Sequence, residues 1–168
     1  MTIRTIEQKF IHDLAEIYDA EQRFLEAQDK LLQAASAPQL KAIIQDHIEQ
    51  TEQQIGNIEQ IYRQLDANPE RISCDGAAGL VRASEQGLAI ADSPALRDYV
   101  IGGALSKVEH YEVAVYRGLL TAAESMGQIQ IAALLRHNLQ QEEQTAQLVE
   151  QSTPMLIEQA MLAGEQGA

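Results

Sequence analysis

The chain has 168 residues and a formal net charge of −13, because 25 Asp and Glu outnumber 12 Lys and Arg. This length is sufficient for one domain with its own core, and 45% hydrophobic with 22% charged residues is typical of a globular rather than a disordered protein. The strong negative charge and the lack of a basic tract disfavour nucleic acids and bare membrane surfaces as partners and favour cations.

The composition predicts an all-α protein. Only 4% of the residues are aromatic, there is no Trp, and helix-favouring residues such as Ala, Leu, Gln and Glu dominate. Cys74 is the single cysteine, so we expect no internal disulfide. The first residues do not resemble a signal peptide and no run of 18 apolar residues occurs, so we expect a cytoplasmic protein.

Two long helices are predicted in the first part of the chain. The first covers about residues 5–35, with Thr5 as its N-cap, and ends before Pro38. The second covers about residues 38–67 and ends at Asn68-Pro69, because proline cannot donate a backbone hydrogen bond and disfavours helical geometry in the residue before it.

Two more long helices follow. The third is predicted at about residues 94–126, where Ser93 is a good N-cap and Pro94 occupies the first helical position. The fourth is predicted at about residues 128–152, and we expect Pro154 to kink or end it. The remaining short, apolar, helical tail is expected either to cover the end of the helical bundle or to contact another copy of the chain.

The unequal connections between these helices predict the topology. Short turns join helices one and two, and helices three and four, so each pair is predicted to form an antiparallel hairpin. A long crossover, residues 68–93, joins the pairs and contains a short helical stretch near residues 79–83. We therefore predict that residues 1–168 form a single all-α domain, a ferritin-like four-helix bundle.

Polar residues interrupt the apolar stripe of each helix near its middle. On the first helix, Glu21 lies at the centre of a stripe that contains Phe10, Leu14, Ile17, Leu25 and Leu32. His47, Glu112 and Glu142 hold equivalent places on the other three helices, and Glu109 lies one turn before Glu112 at the edge of the same face. Folding is therefore expected to bring these five side chains to one level of the interior.

Buried carboxylates need a partner, and no Lys or Arg shares the inner helix faces at this level. Hard oxygen ligands with one imidazole suit Fe or Mn, and carboxylates projecting from four helices are how bundle di-iron sites are built. The pattern thus predicts a metal site formed by Glu21, His47, Glu109, Glu112 and Glu142. The alternative for any one of these acids is a protonated carboxyl or a small polar network.

Several segments resemble the ferritin-like stress-response proteins of the YciE/YciF type over nearly the whole chain. The segments are Asp13-Leu14, Tyr18-Asp19-Ala20-Glu21, His47-Ile48-Glu49-Gln50-Thr51, Cys74-Asp75-Gly76-Ala77-Ala78-Gly79-Leu80, Lys107-Val108-Glu109-His110-Tyr111-Glu112 and Asn138-Leu139-Gln140-Gln141-Glu142. The resemblance implies a rubrerythrin-like bundle with a potential di-metal centre, a homodimer and a role in stress response. It points to the same five residues.

The chain also departs from that family. Gln50 stands where the family commonly has Glu, Gln54 where some members have His, and Ala146 where one branch has an acidic residue. A neutral amide is a weaker ligand than a carboxylate or an imidazole, so one metal is expected to bind better than a second.

Three functions follow from these observations as hypotheses. The first is an iron or manganese protein of stress response with a weak oxidase or peroxidase-type activity, or a simple metal binder. The second is a metal-free helical dimer that binds another protein. The third and weakest is a nanocage, because such cages build sites between subunits from histidines of the first helix and only the outward-facing His12 is available.

Overall fold

The computed structural model describes residues 2–166, and over that range it contains five α-helices and no β-strand. The helices are α1 (Ile6–Ala34), α2 (Pro38–Gln64), α3 (Asp75–Ile90), α4 (Pro94–Ser125) and α5 (Ile129–Gln166). The prediction of an all-α protein is therefore confirmed. None of the five helices has an apolar stretch long enough to cross a bilayer.

Local signals explain where the helices begin. The Thr5 hydroxyl accepts a hydrogen bond from the Gln8 N–H, and the Ser93 hydroxyl accepts one from the Leu96 N–H, so both predicted N-caps are confirmed. Pro38 and Pro94 occupy the first turns of α2 and α4, where a missing N–H costs no helical hydrogen bond.

The crossover contains far more helix than the short stretch predicted near residues 79–83. Helix α3 has 16 residues and is capped at its N-terminus by Cys74, whose sulfur accepts a hydrogen bond from the Ala77 N–H. Only Ala77 and Ser84 of this helix are buried. Its larger apolar side chains Leu80, Val81 and Leu88 are only partly buried, so the apolar stripe is short and does not reveal the full length of the helix.

The predicted end of the fourth long helix at about residue 152 is wrong, because α5 continues through Pro154 to Gln166. The hydroxyls of Ser152 and Thr153 donate to the Val149 carbonyl within the same turn. Beyond the proline, Leu156 is fully buried, and a Cβ placed at Gly102 would lie only 2.8 Å from its Cδ1. Packing of Leu156 against the bare backbone of α4 therefore keeps the segment after Pro154 helical.

Four of the helices contact one another in a closed ring, because α1 and α5 each pack against both α2 and α4. Paired side chains give the directions. Tyr18 donates to Glu59 while Gln28, ten residues further along α1, donates to Thr51, so α1 and α2 are antiparallel. Ion pairs from α4 to α5 show the same relation; they join Arg117 to Glu143 and His110 to Glu150.

Helix α3 lies outside this ring and packs on α1 and α4. Because α3 covers one side of α1, a different set of α1 side chains is buried after Glu21. Phe24 and Leu31 are buried there, whereas Leu25 and Leu32, which the sequence pattern placed in the apolar stripe, are only partly buried. The covering helix thus shifts the core of α1 by one residue.

The buried apolar residues form two clusters on either side of a polar layer. One cluster contains Ile58 of α2, Tyr116 of α4 and Leu135 of α5; the other contains Ile44, Leu105 and Val149 of the same helices. On each of these helices the predicted ligands fall between the two clusters. The fold therefore places a set of ionisable side chains between two dry regions.

The turn between α1 and α2 is tied to α4 by Asp98, which is 2% exposed. Its carboxylate accepts hydrogen bonds from the Ser36 N–H at 2.7 Å, the Ala37 N–H at 2.9 Å and the Ser36 hydroxyl. Asp98→Ala is expected to lower the free energy of unfolding by about 3 kcal/mol in urea titrations, because it leaves the buried Ala37 N–H unpaired and removes two hydrogen bonds from Ser36. Asp92→Ala, an exposed carboxylate in the same region, is the control. Equal effects of the two variants would refute this role of Asp98.

Candidate metal centre

The five predicted ligands are all buried. Glu21, Glu109 and Glu142 have no exposed side-chain surface, and His47 and Glu112 are each 1% exposed. They come from α1, α2, α4 and α5, so all four helices of the ring contribute.

Four of the five meet closely. His47, Glu109, Glu112 and Glu142 each place one ligand atom within 4.8 Å of the others. His47 Nε2 lies 3.1 Å from Glu109 Oε1, but the angle between them does not satisfy a hydrogen bond. The imidazole and carboxylate are therefore close without being directed at each other, as is expected of groups that point towards a common third partner.

Glu21 stands at the edge of this set. One of its oxygens accepts a hydrogen bond from the buried Tyr116 hydroxyl, which in turn accepts one from Asn138 Nδ2 at 3.1 Å. The other oxygen of Glu21 has no partner. The negative charge of Glu142 raises the pKa of Glu21, and the negative charge of Glu21 raises the pKa of Glu112. Glu21 therefore belongs to the same electrostatic cluster.

Most of the oxygens in this cluster have no hydrogen-bond donor other than a neighbouring carboxyl group. Both oxygens of Glu109, both of Glu112 and one each of Glu21 and Glu142 are buried without a partner, as are both nitrogens of His47. Buried polar atoms are almost always paired in proteins, and an excess of acceptors at one place indicates a site for cations or protons.

Burial raises the pKa of these carboxyls, since charge is costly away from water. The pKa of Glu21 rises to about 8 through burial and then through the field of Glu142. Burial also raises the pKa of Glu109 to about 8. The pKa values of Glu112 and Glu142 lie well above their usual range, because burial and the neighbouring acids act in the same direction.

No Lys or Arg is among the buried residues of the part of the chain that the structure describes. Asp19 of α1 is also a buried carboxylate, but it has cationic neighbours. Burial alone would raise its pKa, but hydrogen bonds from Arg23, the Cys74 N–H and Arg71 together lower it. Asp19 thus has a structural partner for its charge, whereas the central carboxylates do not.

Other candidate groups lie outside the centre. His12, Asp13 and Glu16 form a partly exposed group on α1, in which Lys9 already pairs with Asp13. His110 is exposed and pairs with Glu150. Cys74 Sγ lies 2.9 Å from the Tyr111 hydroxyl, consistent with a small packed side chain.

The three departures from the family pattern also lie in or near the polar layer. Gln54 is fully buried and its Nε2 donates to Glu142, while its Oε1 has no partner. Gln50 accepts a hydrogen bond from the Thr145 hydroxyl at 3.0 Å, and Ala146 is buried. Gln54 therefore orients a predicted ligand.

Tyr116 is the residue of the site that the sequence pattern did not identify. On a helical wheel it lies in the apolar stripe of α4, and burial alone is consistent with an ordinary core aromatic. Its contact with Glu21 comes from a helix that is 95 residues away in the chain.

A family model described as a domain of unknown function, DUF892, matches residues 5–162. The chain belongs to the DUF892 family. The protein YciF of Escherichia coli strain K12 is 34% identical over 146 residues, which cover 86% of this chain and 88% of YciF. The resemblance to YciF-type proteins is thereby confirmed.

Solved structures agree with this membership in DUF892. The crystal structure of the E. coli stress protein YciF superposes with a TM-score of 0.86 at 32% identity, covering 94% of this chain and 98% of YciF. YcfI from Rhodopseudomonas palustris gives a TM-score of 0.87 at 29% identity, covering 88% of this chain and 94% of its own. A Xanthomonas campestris protein of 22% identity, with a TM-score of 0.77, shares the fold.

Proposed function

We propose that this protein is a ferritin-like metal protein of the stress response, which binds iron or manganese between its four long helices. Glu21, His47, Glu109, Glu112 and Glu142 would hold the metal. The observation that carries the proposal is the set of buried carboxylate oxygens without donors. The stress role is supported by similarity to YciF, which is described as a stress protein. The antiparallel ring of α1, α2, α4 and α5 supports a ferritin-like bundle.

The charges of the site favour two divalent cations. Glu21, Glu109, Glu112 and Glu142 carry four negative charges when ionised, and His47 is a neutral ligand. Two divalent cations balance that charge, so metal replaces the protons that the raised pKa values indicate for the metal-free protein.

The two cations are not expected to bind equally. The four groups that converge within 4.8 Å offer one imidazole and three carboxylates, whereas Glu21 lies outside this set and one of its oxygens is already bonded to the Tyr116 hydroxyl. Bound iron or manganese supplies redox chemistry with peroxide or dioxygen. The protein's own residues exclude water, hold the ligands in place, and orient Glu21 and Glu142 through Tyr116 and Gln54.

Metal analysis tests this proposal directly. Glu112→Ala is expected to lower the iron or manganese content of purified protein at least twofold, measured by plasma emission spectrometry after growth in replete medium, because both of its oxygens lack other partners. Glu143→Ala, the next residue of α5 after Glu142, removes an exposed carboxylate paired with Arg117 and is the control. Equal metal content in wild type and both variants would contradict the proposal.

A second candidate is a metal-free homodimer that acts through protein contacts. Three apolar side chains near the end of α5 are exposed, namely Ile157, Met161 and Leu162. Ile157 and Met161 are four residues apart and therefore lie on the same side of the helix, with Leu162 next to Met161, an arrangement that suits contact with another helix. In this case the central carboxyls would stay protonated and uncharged.

A double charge substitution tests the dimer. Met161→Lys combined with Leu162→Lys is expected to shift the sedimentation coefficient from that of a dimer to that of a monomer, because two ammonium groups cannot be buried unpaired. Glu158→Lys, an exposed position on the same helical segment, is the control. Sedimentation of wild-type protein as a monomer would exclude this contact.

A further inference from the structure

A small cavity lies inside the molecule where α1, α3 and α4 meet. Its volume is about 20 Å³, enough for one small molecule, and most of its wall is apolar, including Phe24, Leu80, Leu105 and Val108. Phe24 follows Glu21 by one helical turn on α1, and Leu105 lies one turn before Glu109 on α4. The cavity therefore adjoins the helix turns that carry two of the proposed ligands.

Two polar groups interrupt this apolar wall, and both offer acceptors. Gln28 is 2% exposed; its Nε2 donates to the Thr51 hydroxyl at 3.1 Å, while its Oε1 is buried without a partner. The Ser84 hydroxyl donates to the Val81 carbonyl at 2.7 Å, which leaves its lone pairs free to accept. A molecule that fits this wall is small, neutral and able to donate hydrogen bonds.

Surface grooves adjoin the cavity on both sides of α3. It shares Leu80, Ser84 and Ala104 with a groove of about 350 Å³ between α3 and α4. It shares Ala27, Leu31 and Ser84 with a groove of about 320 Å³ between α1 and α3. Ser84 is therefore common to the cavity and both grooves.

We infer that this cavity binds one molecule of hydrogen peroxide on its way to the metal centre, and that Gln28 selects peroxide over dioxygen. Peroxide donates two hydrogen bonds and carries no charge, whereas dioxygen donates none and gains nothing from an unpaired carbonyl oxygen. This inference rests on the proposed function, since it names the oxidant of that centre.

The reaction that follows is balanced by the metal and by solvent. As the O–O bond of peroxide breaks, the molecule takes up two electrons and two protons and becomes two water molecules. Ferrous iron held by the five proposed ligands would supply the two electrons and become ferric, and two solvent molecules would supply the protons and be left as hydroxide. Gln28 takes no part in electron transfer; it is a specificity-determining residue that holds the peroxide beside the centre.

The test compares two oxidants on protein loaded anaerobically with ferrous iron. Gln28→Leu is expected to lower the rate constant for oxidation by hydrogen peroxide at least tenfold in stopped-flow absorbance, and to change the rate with dioxygen less than twofold. Gln53→Leu, which removes an exposed amide bonded to Gln141 on the far side, is the control. Equal losses with both oxidants, or no loss with peroxide, would overturn the inference.

A second measurement does not need metal. A high-resolution crystal structure of the metal-free wild-type protein is expected to show an ordered solvent molecule within hydrogen-bond distance of Gln28 Oε1, and the Gln28→Leu structure is expected to lack it. An empty cavity in wild type would overturn the inference whatever the metal content. If the protein binds no iron but this solvent molecule is present, the proposed metal-binding function is wrong, whereas the cavity still binds a hydrogen-bond donor.

Discussion

Ferrous iron or Mn²⁺ at saturating concentration is expected to raise the melting temperature of the chelator-treated protein by about 10 °C. A ligand that binds only the native state at about 1,000 times its Kd adds about 4 kcal/mol to stability. For a chain of this size each kcal/mol corresponds to about 2–4 °C. The ligand atoms come from four different helices, so unfolding disperses them and the unfolded chain offers no comparable site.

Differential scanning calorimetry with matched variants makes this result specific. Glu112→Ala is expected to lose most of the metal-dependent increase, and Glu143→Ala is expected to keep it, because Glu143 is exposed and bound to Arg117. Mg²⁺ is a suitable control cation, because it retains its water ligands more strongly than iron or manganese. The same melting temperature with and without metal would favour the metal-free dimer.

Much of the fold was predictable because its signals are local. Thr5 and Ser93 cap their helices through bonds to residues only three positions away, and Pro38 and Pro94 start helices by the same short-range rules. The errors in the fold prediction have non-local causes. The fourth long helix was expected to stop at about residue 152, with Pro154 kinking or ending it, but the helix continues where Leu156 packs against Gly102, more than 50 residues earlier in the chain.

The candidate site was predictable to the same extent. A carboxylate in an apolar stripe is visible in the sequence of one helix, so Glu21, Glu112 and Glu142 could be selected without a structure. The roles of Tyr116, Gln28 and Gln54 depend on which helix lies opposite each of them. Sequence periodicity gives the buried face of a helix but not the partner of each buried atom. These roles can therefore be assigned only from the three-dimensional structure.

The stability of the metal-free protein is expected to fall as the pH rises from about 5 to about 8.5. The folded-state pKa values of Glu21 and Glu109 are about 8, above their usual value of 4.5. Between these two values the folded protein binds more protons than the unfolded chain, so the free energy of unfolding decreases with rising pH. The decrease in the free energy of unfolding is complete once the pH exceeds the folded-state pKa. Below about pH 4.5 these two groups cause no change in stability with pH.

The size of this effect follows from the pKa difference. One pKa unit corresponds to about 1.4 kcal/mol, so a single carboxyl with this shift costs at most about 5 kcal/mol. Because the carboxyls share their protons, we expect a total decrease in melting temperature of about 10 °C over the window rather than the sum of independent groups. Thermal unfolding followed by circular dichroism in the presence of a chelator measures it.

The metal-loaded protein is expected to show the opposite slope. Metal binds the ionised carboxylates and competes with protons, so its affinity and its stabilising effect increase as the pH rises through the same window. Glu109→Gln supplies the matched variant, because a neutral amide of similar shape removes one shifted group. Without metal it is expected to melt above wild type at pH 8.5 and close to it at pH 5. A metal-free wild type whose stability rises with pH would show that these carboxyls are ionised and paired within the protein, and the case for a cation between the helices would be lost.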